Sequence, residues 1–553
     1  MSNAYDFLKN YIDNWIKEVL YKCRGREKMF LTAIVKIADF ESLKLGRHSN
    51  VEIGSKEHKV AHHILRGSGL LLWNLQPLCA NDQSRSSFRL LNTELLAEAQ
   101  QYLVEAGFLI HAFHLTSAAK YGITQAEILD PSRVRISMCA ANVERHEEND
   151  RNHILDAEHH QRQHDINIHL EAIAHWMHTP PDPIKDLADI KSPTSDSVIR
   201  KATFDLLTLW EKEYIEAEAF PNDLQIGQLA FDEWKKLAVG IAALNEAQAS
   251  CYIKLSHQTR TNYFSLPVPT IDREALHQHI SALLGRNNVE QLDDVVEFFL
   301  TTSDGSHRYM SAHVDLQPLL IPVGDQILAP RYGAAANPYL AMYRKMKEAF
   351  ADEWSAFNDR REEQFQKELL GIFSGPEIVV GFPKEIKMSS KNRLTDIDTT
   401  LFDMTENCLY LFQLKWLDPI SADLVQRESQ YNSLLASTKW ISRVEGWVSG
   451  QSRAELAKAL NIEKHTVNPE IFDVRYIVLS RSWTRLSGKP EYDSRAAWVS
   501  WTRLCRLVSE TPDGMRPLHY VWLTARETQV EQFVSSGAKE KFQFPNLLIE
   551  IIY

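Results

Sequence analysis

The sequence predicts an α+β protein in which a mainly helical N-terminal region is followed by a C-terminal α-β-β-β-α-β domain. Apolar residues recur at helical spacing in much of residues 1–338, whereas three short apolar segments of strand composition follow one another after residue 377. The chain of 553 residues is too long for one core. At roughly 100–200 residues per domain, about three domains are expected.

Composition indicates a globular protein and excludes several functional classes. Hydrophobic residues make up 44% and charged residues 24% of the sequence, as in ordinary water-soluble domains. Because no apolar run reaches the roughly 18 residues of a membrane span and no N-terminal signal region is present, we expect a cytoplasmic protein without a membrane partner. The six cysteines form no CxxC pair, which argues against a zinc clamp or a redox motif. The absence of GxxxxGK[ST] and GxSxG motifs disfavours an ATP-driven motor and a serine hydrolase.

The charge distribution limits where a nucleic acid could bind. The formal net charge is −12, so a nucleic-acid site must be a local basic surface. Residues 351–553 carry 25 Lys and Arg against 28 Asp and Glu, a net of −3, which leaves −9 for residues 1–350. The C-terminal part is therefore the better place to expect contacts with a phosphate backbone.

Changes in composition along the chain predict the domain boundaries. Residues 1–178 are expected to form a mainly helical N-terminal domain, and the Pro-rich stretch 179–197 a linker or long surface loop. Residues 198–338 are expected to form a helical middle domain that ends in a β-hairpin. Residues 339–553 are assigned to the C-terminal domain.

Two features of the N-terminal domain allow more than one interpretation. A helical pattern stops at Gly107, and residues 108–115 have strand composition, which is typical either of a DNA-reading winged-helix unit or of a small helical subdomain without that role. His160 and His164, at i and i+4, could hold a metal on one helix face. Because no HExxH motif is present and their neighbours are polar, a solvated helix is the alternative.

The C-terminal domain is predicted to begin with a helix over residues 339–373, interrupted or not near Ser355. The elements expected after it are three strands, a long helix and a further strand, at residues 378–382, 397–402, 409–416, 422–448 and 472–480.

The most informative stretch is the strand pair within residues 395–416. Side-chain alternation places Gln413 and Lys415 on one face at a strand end, where a buried ammonium group is unfavourable unless an anion meets it. Asp396 and Asp398 share a face of the preceding strand, so a hairpin can bring a carboxylate beside Gln413 and Lys415. A carboxylate, an amide and an ammonium group are therefore expected to converge.

Such a group suits Mg²⁺ (or Mn²⁺), because Mg²⁺ prefers oxygen ligands and needs only one or two carboxylates beside water and a substrate phosphate. The helix before the sheet can supply a second carboxylate. At about 100° per residue, Glu362 lies roughly 35° from the centre of the apolar stripe of that helix, whereas Glu363 lies about 135° away. Glu362 is therefore predicted to point inward.

Glu362, Asp398 and Gln413-x-Lys415 on adjacent strands, followed by a helix, resemble the PD-(D/E)xK nuclease superfamily with its restriction-endonuclease-like fold. The third motif position is usually acidic, and the glutamine found here resembles the QxK variant of Mrr-type restriction nucleases. The resemblance implies that Glu362, Asp398, Gln413 and the main-chain carbonyl of Leu414 bind the metal, and that Lys415 positions water and stabilises the transition state. Asp398 matches the second motif better than the aspartate two residues earlier.

The resemblance covers about residues 361–480 and implies a metal-dependent nuclease acting on DNA, in a prokaryotic restriction, anti-phage or DNA-repair role. In such nucleases the helix after the motif often approaches the DNA backbone, so Arg427 and Gln430 are predicted to contact DNA, with a solvated helix face as the alternative. No residue excludes RNA as the substrate. The N-terminal region is expected to sense the target or bind a protein partner. The alternative function is a catalytically inactive nuclease-fold scaffold for nucleic acid or protein.

Overall fold

The structure is a computed structural model. It describes residues 2–45, 55–79, 93–139, 220–259, 262–265, 268–285, 292–300, 318–335, 338–387, 393–417, 424–464, 471–484, 493–527 and 537–553. The predicted linker 179–197, together with His160 and His164, lies outside these residues. The α+β class is confirmed, with helices dominating the N-terminal part and the largest sheet in the C-terminal part. No described helix combines the length and hydrophobicity that crossing a lipid bilayer requires.

The N-terminal unit packs amphipathic helices around one apolar core and adds a β-hairpin. Its elements are α1 (Ser2–Cys23), α2 (Glu27–Leu45), α3 (Lys56–Cys79), α4 (Thr93–Ala118), β1 (Thr124–Asp130) and β2 (Arg133–Met138).

Helix α4 continues through Gly107, so the strand predicted at residues 108–115, on which the winged-helix interpretation was based, is wrong. The glycine serves helix packing. A Cβ atom on Gly107 would lie 1.9 Å from the carbonyl oxygen of His63 in α3, and one on Gly67 would lie 2.1 Å from that of Leu103 in α4. The two helices therefore meet backbone to backbone, which only residues without a side chain allow.

The middle unit is built around a long buried helix and a small sheet. Its elements are β3 (Gln225–Ile226), β4 (Leu229–Ala230), α5 (Phe231–Thr259), β5 (Thr270–Asp272), α6 (Arg273–Leu284), α7 (Asp293–Phe299), β6 (Ile321–Val323), β7 (Gln326–Leu328), α8 (Arg331–Ala335), α9 (Pro338–Ala349) and α10 (Ala351–Ala356). Strands β6 and β7 form the predicted hairpin, whose turn places Gly324 at a φ of 57°. Asn245 of α5 donates hydrogen bonds to the carbonyls of Leu319 and Pro330, 2.7 and 3.2 Å away, and so attaches both ends of the hairpin to the helix.

The C-terminal unit is a five-stranded mixed sheet with helices on both faces. Its elements are α11 (Asn358–Ile372), β8 (Ile378–Gly381), β9 (Lys384–Lys387), β10 (Arg393–Ile397), β11 (Thr399–Asp403), β12 (Cys408–Lys415), α12 (Leu424–Ser449), α13 (Arg453–Ala459), β13 (Asp473–Ser480), β14 (Ala496–Ser500), α14 (Trp501–Ser509) and α15 (Pro517–Glu527). The five-stranded sheet has the order β14-β13-β12-β11-β8, in which β12, β13 and β14 are mutually parallel and the other pairs are antiparallel. Strands β9 and β10 pair with each other in a separate two-stranded sheet. The succession α11, β8, β11, β12, α12, β13 follows the predicted order of elements. The helical stretch expected over residues 339–373 is divided into α9, α10 and α11, with breaks at Phe350 and at Phe357, so the interruption considered near Ser355 is present.

Strand β12 lies at the centre of this sheet and is buried on both faces. Leu409 and Leu411 pack in the core that includes α12, whereas Tyr410, Phe412 and Leu414 pack in the core that includes α11. The alternation of side chains that the sequence predicts for this strand is therefore present. Gln413 and Lys415 belong to the side of the strand that faces α12.

The end of the chain belongs to the N-terminal sheet. Strands β15 (Lys539–Phe544) and β16 (Leu547–Ile552) form a hairpin, and β16 pairs in parallel with β2, giving the order β1-β2-β16-β15. This corrects the predicted assignment of all residues 339–553 to one domain. The reason is apolar burial: Ile549 and Ile551 are fully buried in the core formed by the N-terminal helices.

Candidate active site

Asp398 occupies a break between β10 and β11, beside the end of β12. Its main-chain N–H donates to the carbonyl of Phe412 at 3.1 Å, and the next pair along the ladder joins Thr399 to Phe412. The register therefore sets the Asp398 side chain opposite Gln413. This is the approach that strand pairing was expected to produce.

One oxygen of the Asp398 carboxylate is fixed by two donors. Gln413 Nε2 donates to Oδ2 at 2.5 Å, and the main-chain N–H of Leu414 donates to the same atom at 2.6 Å. Among the described residues no hydrogen-bond donor contacts Asp398 Oδ1 or the amide oxygen of Gln413. Two oxygen atoms at this strand end therefore remain open to a ligand.

A third oxygen, the main-chain carbonyl of Leu414, lies on the same side of β12 as Asp398. In an extended strand the N–H and C=O of one residue point in the same lateral direction. Because the Leu414 N–H is directed at Asp398, the Leu414 carbonyl lies on the Asp398 side of the strand. The resemblance assigns this carbonyl to the metal.

Lys415 ends β12 and is partly buried. Within the part of the chain that the structure describes, its ammonium group makes no hydrogen bond or ion pair. Its charge lowers the pKa of Asp398, whereas the charges of Asp396 and Glu362 raise it. The four groups are therefore within electrostatic reach of one another.

Burial dominates the titration of Asp398. Loss of hydration raises the pKa of this carboxyl from 3.8 to about 6, and the hydrogen bond from the Leu414 N–H opposes the shift. An ionised carboxylate at this site is therefore under-solvated, and a cation would stabilise it.

Replacing Asp398 with asparagine is expected to change how stability depends on pH in metal-free buffer. Between pH 3.8 and about 6 the folded state binds more protons than the unfolded state, so stability falls as pH rises through this window. At about 1.36 kcal/mol per unit, the penalty approaches 3 kcal/mol above pH 6. The asparagine keeps an oxygen for the Leu414 N–H, so its melting temperature relative to wild type should be higher at about pH 7 than at about pH 4. An equal difference in melting temperature between the variant and wild type at both pH values would contradict this prediction.

The predicted inward orientation of Glu362 is wrong, because its side chain is exposed. The neighbouring Arg361 takes the inward position instead and is 3% exposed. Its guanidinium carbon lies 3.9 Å from the ring centroid of Phe220 and 4.5 Å from that of Trp354. Rings of the middle unit thus stabilise the buried cation, and Glu362 remains at the rim, where its charge still acts on Asp398.

Sequence reasoning missed three residues that hold this strand end in place. Gln366 of α11 donates to the Asp398 carbonyl at 2.7 Å. The N–H of Arg481 donates to the Lys415 carbonyl at 2.9 Å, and its guanidinium donates to Glu368 of α11. The position of Arg481 was a usable signal, since the residue that follows a parallel neighbour strand lies at the same sheet edge.

Arg427 and Gln430 of α12 are buried, with 5% and 7% of their surface exposed. The solvated helix face considered for them is therefore wrong. Their contact with DNA stays a prediction, and it requires the side chains to turn outward from this arrangement.

The donor set fits a hard divalent cation. Among the described residues no group of three or more His, Cys, Asp or Glu side chains could hold a metal. Mg²⁺ needs fewer, since one or two carboxylates with carbonyl oxygens and water suffice. Asp398 Oδ1, the Gln413 amide oxygen and the Leu414 carbonyl are such donors, and Glu362 is the nearby second carboxylate.

Comparison with known proteins provides no relative from which a function could be transferred, because no family model, curated protein or solved structure matches the chain. A functional conclusion therefore depends on the geometry of this strand end.

Proposed function

We propose that the chain is a metal-dependent nuclease that hydrolyses phosphodiester bonds in DNA. The observation that carries the proposal is the pair of hydrogen bonds from Gln413 and Leu414 to one oxygen of Asp398, at the strand end that also bears Lys415. These bonds orient a partly buried carboxylate so that its second oxygen is available. A carboxylate, two carbonyl oxygens and an ammonium group are then available at one strand end.

The order and direction of the elements support a restriction-endonuclease-like fold for the C-terminal unit. Helix α11 precedes strands β8, β11 and β12, of which β11 lies between the other two and pairs antiparallel with both. Helix α12 then leads to β13, which lies parallel to β12. This succession agrees with the α-β-β-β-α-β order that the resemblance implies. The proposed site then lies at one end of the central strand.

The residues of this chain would have distinct roles in hydrolysis. Asp398 and Glu362 would hold Mg²⁺, with the oxygens of Gln413 and Leu414 completing the protein's donors. When bound, the ion supplies Lewis-acid polarisation of a phosphoryl oxygen. Lys415 would donate hydrogen bonds from Nζ, orienting the water that attacks phosphorus in line and offsetting the negative charge that builds on the phosphoryl oxygens.

The biological setting rests on the resemblance. A prokaryotic restriction, anti-phage or DNA-repair role, a cytoplasmic location, and a target or partner for the N-terminal region stay predictions. They depend on cleavage being demonstrated first.

Plasmid cleavage with Mg²⁺, Mn²⁺ or a chelator tests the proposal. Glu362→Gln is the test variant, and Glu363→Gln is its control, because both residues are exposed neighbours on α11. Wild type and Glu363→Gln should nick DNA only with metal, and Glu362→Gln should be slower by about 100-fold, the usual scale for one electrostatic contributor.

Two results would contradict the proposal. Binding of DNA by wild type without cleavage in any divalent cation favours the inactive scaffold. Cleavage confined to RNA in a parallel digest overturns DNA as the substrate.

A further inference from the structure

A largely buried ion pair lies beside the strand end that carries Lys415. The Arg481 guanidinium donates to a carboxylate oxygen of Glu368, and the two side chains are 5% and 21% exposed. The main-chain N–H of Arg481 donates to the Lys415 carbonyl at 2.9 Å. One residue therefore joins the end of β12 to helix α11.

Three aromatic rings enclose the Arg481 guanidinium. Its central carbon lies 5.5, 4.9 and 5.1 Å from the ring centroids of Phe365, Trp416 and Trp501. Phe365 meets the two indoles edge-on, at centroid separations of 5.6 and 5.4 Å. We call these three rings the aromatic box. Rings around a desolvated cation stabilise it and confine its position.

Helix α11 is attached to the candidate site at two points. Gln366 donates to the Asp398 carbonyl at 2.7 Å, and Glu368 accepts from Arg481. Glu362 lies on the same helix. The two attachments therefore define where the Glu362 carboxylate stands relative to Asp398 on one side and Lys415 on the other.

We propose that Arg481 is a positioning residue of the candidate nuclease site: its ion pair with Glu368, held inside the aromatic box, sets the separation between helix α11 and the strand end of Lys415. The inference rests on the proposed nuclease function. Arg481 acts through Glu362 and Lys415 and does not itself meet the substrate. A displacement of about 1 Å between reacting groups can slow catalysis about 100-fold.

A purely structural pair and a positioning pair make different predictions. If the pair only stabilises the fold, its loss lowers the melting temperature and the amount of active protein, while the surviving protein keeps its kcat. If the pair positions α11, the folded variant has a lower kcat with little change in KM for DNA. A guanidinium ion that re-enters the box should then restore the rate.

The test compares wild type, Arg481→Ala and Arg481→Lys, with and without methylguanidinium. Arg506→Ala is the matched control, because Arg506 pairs with Glu510 at 3.0 Å on an exposed helix surface, with side-chain exposures of 33% and 42%. Arg481→Ala should lose about 100-fold in kcat and keep KM within about threefold. Methylguanidinium should raise both the kcat and the melting temperature of Arg481→Ala. It should change neither quantity in Arg506→Ala.

Arg481→Lys keeps the charge but loses the planar fork, so its kcat should lie between those of wild type and the alanine variant. This variant carries the test if Arg481→Ala does not fold. Two outcomes would overturn the role of Arg481 without affecting the nuclease function. In one, the folded variants keep the wild-type kcat; in the other, methylguanidinium does not restore the kcat that Arg481→Ala has lost. If the wild-type protein cleaves no nucleic acid, both the proposed nuclease function and this role of Arg481 are refuted.

Discussion

Replacing Lys415 with methionine is expected to lower the rate of metal-dependent DNA cleavage by about 100- to 1,000-fold, the range for removing one preorganised charge-stabilising group. Methionine retains most of the unbranched stem and removes the ammonium group. Among the described residues that group has no ion-pair partner, so its removal breaks no direct contact and weakens only the electrostatic stabilisation of Asp398. The melting temperature should therefore fall far less than the activity.

The control for this substitution is Lys439→Met. Lys439 is exposed on α12 of the same unit, so the change removes the same charge from the surface. Cleavage rates should be measured under single-turnover conditions with saturating metal. Because Lys415 lowers the pKa of Asp398, the acid limb of any remaining activity should move to higher pH in Lys415→Met. Activity within about threefold of wild type would refute the assigned role.

Replacing Gly107 with alanine is expected to destabilise the N-terminal unit by about 3 kcal/mol or more, at the upper end of the overpacking range. The added Cβ would stand 1.9 Å from the His63 carbonyl oxygen. That atom belongs to the backbone of α3, so no side-chain rotation relieves the clash and the two helices must separate. Separation would open the core on both sides of the contact.

Gly446→Ala provides the matched control for this prediction. Gly446 also lies inside a long helix, α12, but a Cβ there meets nothing within 4 Å. Alanine should therefore stabilise α12 by about 0.5–1 kcal/mol through the lower backbone entropy of the unfolded chain. Thermal or denaturant unfolding should show opposite signs for the two substitutions. If the two substitutions change the free energy of unfolding equally, helices α3 and α4 do not pack backbone to backbone at Gly107.

The core of the candidate site was readable from the sequence because it is local. Asp398 directly precedes β11, and Gln413 and Lys415 lie at the end of β12. A short turn joins these two strands, and a period of two residues decides which side chains share a face. Pairing of the strands then brings the carboxylate and the amide together with no information from elsewhere in the chain.

The second carboxylate shows where periodicity fails. The apolar stripe of α11 indicated that Glu362 points inward, yet the inward place is taken by Arg361. The rings that accept the Arg361 guanidinium, Phe220 and Trp354, pack in the core of the middle unit. A helical wheel describes one helix and carries no information about a partner surface contributed by another unit.

The amino-acid pattern was sufficient for the class of fold, for most elements of the C-terminal sheet and for the residues that meet across β11 and β12, because each depends on neighbours in the chain. Three features depended on long-range packing instead. The hairpin of β15 and β16 joins a strand more than 400 residues earlier in the chain, Gly107 allows close helix contact rather than ending a helix, and Arg481 pairs with Glu368 across the sheet edge. Each arises from burial or ion pairing between distant segments, for which local periodicity has no signal.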